Sequence, residues 1–121
     1  MTEGVNLVWE ARARGSKIIA KTCPHHLLMT KEYLNLPGLE GAKFMCSPPQ
    51  WGTTDQEALW QGLKYRDLSL VTSDHAPFRY DDTGKLANGP LPPFDKIANG
   101  MAELEVTLPF LFNSMVSELI E

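Results

Sequence analysis

Val71-Thr-Ser-Asp-His-Ala-Pro-Phe78 is the stretch on which the reading of this chain turns. It closes the run Leu68-Ser-Leu-Val-Thr-Ser73, whose apolar and β-branched residues suit a short strand. Asp74 and His75 stand just past that strand, and Pro77, with no backbone donor, stops further pairing. A carboxylate at the end of an apolar strand sits where burial and neighbours tune its proton affinity. Asp74 is therefore a candidate metal ligand or general base. On spacing alone, an aspartate that merely caps the following loop fits somewhat better.

Working back toward the N-terminus, Thr54-Asp-Gln-Glu57 reads as a capping box before a helix over 55–65, with Ala58, Leu59, Trp60 and Leu63 as its apolar positions. Ala42 to Cys46 is a short apolar run that predicts a second strand, ended by Ser47-Pro48-Pro49. Asn35-Leu-Pro-Gly38 is a turn, and Thr30 is placed to cap a short helix through Leu34. Lys17 to Thr22 suits a further strand, halted by Pro24. At the start, Val5, Val8, Trp9 and Arg12 fall at helical spacing over 2–14, with Thr2 as cap and Gly15 as terminator. On the other side, Ala76 to Gly100 carries Pro77, Pro90, Pro92 and Pro93 and predicts a long loop of the functional kind. A helical run from Ala102 to Glu118 follows, which Pro109 should kink or divide.

Alternating helices and strands predict the α/β class with parallel strands. Thr22-Cys23, Ser47 and Asp74-His75 then lie just past strand ends, where parallel folds build their sites.

Composition narrows the function classes. The 121 residues have the size of one domain, and 43% hydrophobic with 21% charged residues is ordinary globular usage. The net charge is −4 with both signs interspersed, so no basic stripe points to nucleic acid. No apolar stretch approaches the ~20 residues of a bilayer span. The opening Met-Thr-Glu-Gly-Val-Asn has no basic region and no apolar signal core, and a cytoplasmic address is expected. Cys23 and Cys46 are then read as reduced thiols filling small apolar sites. Trp9, Trp51 and Trp60 are read as packing residues, with Trp51, beyond the paired prolines, left open as a substrate contact.

Four ordered segments carry a family resemblance. Val71 to Phe78 resembles the motif that closes the barrel in the cyclic amidohydrolases: hydantoinases, dihydropyrimidinases, allantoinases and dihydroorotases. Lys21-Thr-Cys-Pro-His-His-Leu-Leu28 resembles their Thr-Cys-Pro segment, with Lys21 where the hydantoinase branch often has Glu. Gly41 to Pro49 resembles the Ser-Pro-Pro loop. Phe94-Asp-Lys-Ile-Ala-Asn-Gly100 resembles the Lys-Ile-x-Asn-Gly element, and Glu103 to Phe112 its acidic, Leu-Pro-containing helix.

The resemblance implies that residues 1–121 are the incomplete C-terminal portion of one catalytic domain, the last βα units of a (β/α)₈ barrel. It implies ring opening of a cyclic amide by a full-length, metal-dependent enzyme, with binuclear zinc expected, a homo-oligomer (a tetramer) as the assembly, and neither nucleic acid nor membrane as partner. Asp74 matches the aspartate that binds metal and moves the proton, and Ser47 and Asn99 match the residues that hold the ring, largely through backbone groups. The family's other ligands, an early His-x-His, a lysine that becomes carboxylated and two later histidines, precede the matched region. His25, His26 and His75 match none of them, and adjacent histidines rarely chelate one ion. The chain alone is therefore expected to be inactive. Two alternatives stay open: a non-catalytic dihydropyrimidinase-related assembly protein, against which Asp74 speaks, and an allantoinase or dihydroorotase relative, toward which His25-His26 leans. The Ser-Pro-Pro loop and Lys-Ile-Ala-Asn-Gly lean toward hydantoinase.

Overall fold

The structure is a computed structural model that describes residues 2–117. Its centre is a pair of very short parallel strands, β1 (Lys21–Thr22) and β2 (Leu70–Val71), with Lys21 beside Leu70 and Thr22 beside Val71. The ladder extends one bond each way, from the Ser69 N–H to the Ala20 carbonyl (2.8 Å) and from the Thr72 N–H to the Thr22 carbonyl (3.0 Å). Parallel strands need a long crossover. Here it comprises α2 (Pro24–Leu28), 3₁₀ turns at Lys31–Asn35 and Glu40–Phe44, and α3 (Thr53–Lys64). α1 (Thr2–Ala13) precedes the pair, and α4 (Leu104–Val116) closes the chain after a 3₁₀ turn at Phe94–Lys96.

Behind the pair, Leu27, Leu59 and Leu68 form the buried core, with Val5, Ala20, Trp60, Leu63, Val71 and Phe110 against it. α1 reaches α3 closely because Gly62 has no Cβ: one there would stand 3.1 Å from Leu68 and 3.2 Å from Val5. The Arg12 guanidinium ties α1 to the strand entrances, donating to the Ile18 carbonyl (2.8 Å) and the Ser69 hydroxyl (2.9 Å). Trp60 and Phe110 meet at 5.8 Å between ring centres and fasten α4 to α3. The parallel α/β character matches the sequence reading, but helix dominates and the sheet is slight.

Several local expectations change. Ala42–Cys46 does not form a strand. Its first part turns as 3₁₀, with local bonds from Ala42 to the Leu39 carbonyl and from Met45 to the Ala42 carbonyl, and exposed Lys43 interrupts the apolar run. The other two strands are shorter than the runs Lys17–Thr22 and Leu68–Ser73. Pro24 does more than halt β1: it opens α2, where a missing N–H costs nothing. Thr30 precedes a 3₁₀ turn, with no side-chain capping bond. α3 starts at Thr53 after Gly52, so Thr54 lies in its first turn, and no side chain of Gly52 caps it. Thr2 is inside α1, its N–H and hydroxyl donating to the Asp55 carboxylate (2.8 and 2.9 Å). α4 is not divided at Pro109, which leaves the Glu105 carbonyl without its usual helical donor. Glu118 lies outside the described residues. Trp60 packs as read, whereas Trp9 and Trp51 are exposed.

Candidate functional site

Thr22-Cys23 and Thr72 to Asp74 leave the same end of the parallel pair. Asp74 turns the chain with φ of +50°, a left-handed conformation that aspartate tolerates better than most residues. His75 anchors the turn. It bridges to Met101, and the Ala76 N–H donates to the Met101 carbonyl at 2.9 Å. Its Nδ1 accepts the N–H groups of Glu103 (3.0 Å) and Leu104 (3.1 Å), two donors at the start of α4 that no helical carbonyl meets. His75 thus caps α4 from across the fold, which requires Nδ1 to be free of a proton.

Exposed Asp74 looks into a hollow of about 390 Å³ lined also by Lys21, Thr22, Cys23, His26 and Pro48. Ser47 and Asn99 share a second hollow, of about 660 Å³, with Cys46, Pro49, Phe94 and Ile97. The Ser47–Pro49 segment stands between the two, Pro48 facing the first and Ser47 and Pro49 the second. The Ser47–Pro48 peptide bond is cis. The structure therefore brings Ser47 and Asn99 together and sets Asp74 on the other side of one loop.

Under this end lies a buried polar network. His25, 3% exposed, meets the Glu103 carboxylate through Nδ1 and His26 Nε2 through Nε2 at 3.0 Å. Burial opposes charge on His25, but hydrogen bonding to Cys46 and to Glu103 outweighs it and raises the pKa to about 9. Burial and the charge of His25 lower His26 to about 4. His25 is then the imidazolium donating to both neighbours, and neutral His26 accepts at Nε2. His26 Nδ1 and Glu103 Oε2 are buried without a hydrogen-bond partner among the described residues. The sequence reading missed this pairing, for which no local pattern exists across 78 positions.

Both cysteines are free, and Cys23 is buried with its thiol pushed up by burial, as befits an inert packing residue. The metal implied by the resemblance does not fit this segment by itself. Among the described residues no three His, Cys, Asp or Glu side chains are grouped to hold an ion. The nitrogen atoms of His25 are committed to its neighbours, and a single carboxylate falls short of the three or four protein ligands of a zinc site. No helix among the described residues is long and apolar enough to cross a membrane.

No family model matches the chain. Its sequence is 36% identical over 115 residues to D-hydantoinase of Streptomyces coelicolor, covering 95% of this chain and 24% of that enzyme. It is 31% identical over 116 residues to dihydroorotase of Halalkalibacterium halodurans, covering 96% and 25%. Its backbone matches the crystal structure of dihydropyrimidinase from Brevibacillus agri with a TM-score of 0.89 and 34% identity, covering 97% of this chain and 25% of the other. The chain spans about a quarter of the length of these relatives.

Proposed function

The chain is a relative of the hydantoinase/dihydropyrimidinase-type cyclic amidohydrolases over about a quarter of their length, and from that premise we propose that the complete protein opens the ring of a cyclic amide by hydrolysing its C–N bond. The observation that carries the reading is the match over nearly the whole chain, with an exposed carboxylate, Asp74, held in a strained turn at the end of a parallel strand. The strand pair and its helices then correspond to the last βα units of a (β/α)₈ barrel.

An amide carbonyl is a poor electrophile, and its nitrogen leaves only once protonated. Asp74 takes the proton from the attacking oxygen and passes it to the ring nitrogen as the C–N bond breaks, so that water is added across the bond. Ser47 and Asn99, on one hollow, present backbone donors and acceptors to the alternating N–H and C=O groups of the ring edge. A divalent metal, expected as binuclear zinc with Asp74 among its ligands, would supply hydroxide near neutral pH. Its other ligands would have to come from outside the described residues. A cytoplasmic homo-oligomer, a tetramer, completes the reading. A dihydroorotase-type substrate is the second reading, favoured by the match to the Halalkalibacterium enzyme and by the His25-His26 pair.

Ring opening by the complete protein, followed with hydantoin, dihydrouracil and dihydroorotate, tests the reading. Turnover of the first two above the third supports it, and preference for dihydroorotate supports the second reading. No ring opening of any of them by folded, metal-loaded protein would overturn both. The 121-residue chain alone, with added Zn²⁺ or Mn²⁺, is expected to open none.

A further inference from the structure

Lys85 is 3% exposed, and it is the one lysine or arginine buried among the described residues. It has no carboxylate partner among them. Burial pushes its pKa down. A buried ammonium without an anion is a costly group for a fold to hold, so what it touches is informative. Its Nζ donates to the carbonyls of Ala98 (3.1 Å) and Met45 (3.3 Å). Ala98 directly precedes Asn99, and Met45 stands two residues before Ser47. The same Met45 carbonyl accepts the Gly100 N–H at 2.9 Å. Gly100 also lies close against Ala76 because it has no Cβ: at its φ of +159° one would stand 2.5 Å from the Ala76 carbonyl oxygen. Lys85 is not among the residues lining the 660 Å³ hollow; it holds Met45, which lines it, and Ala98, which stands between the lining residues Ile97 and Asn99.

We propose that Lys85 is a positioning residue: its buried ammonium clamps the Ser47 loop to the Asn99 element and so sets the spacing of the backbone groups that receive the cyclic amide. The proposal rests on the ring-opening reading of that hollow. Asp74 lines the other hollow, and neither Lys85 nor Met45 lines it with Asp74. Loss of the clamp therefore weakens ring binding and leaves the proton transfer in place.

The test is Lys85→Met in the complete enzyme, which keeps a stem of similar length and removes the charge and the donors. Expected are a KM for the ring substrate raised about tenfold or more with kcat held within about threefold, and faster hydrogen exchange at the Gly100 amide. An unchanged KM in the folded variant overturns the proposal, as does a fall in kcat with KM unmoved. If Lys85→Met does not fold, Lys85→Arg carries the test, because its larger head displaces both carbonyls while keeping the charge. A KM rise without kcat loss then supports the clamp. An unchanged KM overturns it, and so does failure of both variants to fold, which would make Lys85 a purely structural residue. Should the wild-type enzyme open no ring, the function reading fails by itself. Exchange at Gly100 still decides the clamp: no acceleration in Lys85→Met would refute it.

Discussion

Two regions around the parallel pair are built on different physics. Behind the strands, Leu27, Leu59 and Leu68 pack with Val5, Leu63 and Trp60, and the association is apolar and non-directional. Past the strand ends, His25, His26, Gln50, Lys85 and Glu103 are as fully buried, but they are held by directed hydrogen bonds. A polar network of this kind is costly unless each member is satisfied. The expense falls beside Asp74, Ser47 and Asn99, and that is the difference between a region that holds the fold and one that fixes positions.

The largest effect that separates the two regions is expected from Glu103→Gln. It leaves the buried His25 cation without its anion, a loss of roughly 3–5 kcal/mol for a broken buried pair. That loss should depend on pH. With His25 raised to about 9 against an ordinary ~6.5, the pairing stabilises fully below pH ~6.5 and is lost as pH rises through about 9. The Tm difference between Glu103→Gln and wild type should therefore shrink above pH ~9. His26 acts with the opposite sign: held at about 4, it penalises the folded state as pH falls from ~6.5 toward that value. Wild-type Tm should then pass through a maximum near neutral pH and decline on both sides.

Next in size is Leu59→Ala in the apolar region, with a loss of roughly 2–5 kcal/mol. Thermal melts should show the same penalty at pH 7 and at pH 10. A Leu59→Ala penalty that tracked pH as Glu103→Gln does would erase the distinction between the regions. The smallest expected effect is at Thr54. A true cap would cost about 1 kcal/mol on mutation to Ala, but α3 starts at Thr53 after Gly52. Thr54→Ala should stay within about 0.5 kcal/mol in a denaturant melt.

Much of the apolar region was legible because its signals are local. Leu59 and Leu63 at helical spacing, and the strand ending before Asp74, appear in the structure close to their expected places. The five-residue run at Ala42 misled because a short apolar run does not separate strand from turn. α2 was missed because Pro24 reads as a breaker, although the same residue fits a first helical turn. The polar region was largely illegible. His25 meets Glu103, and Lys85 meets Met45, across separations of 78 and 40 positions, and nothing in either neighbourhood advertises the partner. His75 had no role in the sequence reading, yet its ring receives the start of α4. Asp74, Ser47 and Asn99 were picked through the family resemblance, and the spacing of Asp74 alone fitted a loop cap.

The most direct test of the central claim compares kcat of Asp74→Asn with that of Ser47→Ala in the complete enzyme on one cyclic amide. On the proposed reading Asp74→Asn removes the proton carrier with almost no change in volume, and a loss of about 10²- to 10⁴-fold is expected. Ser47→Ala leaves its peptide group in place, so kcat should stay within about threefold. Equal and small effects at both positions would make Asp74 a capping residue and contradict the account.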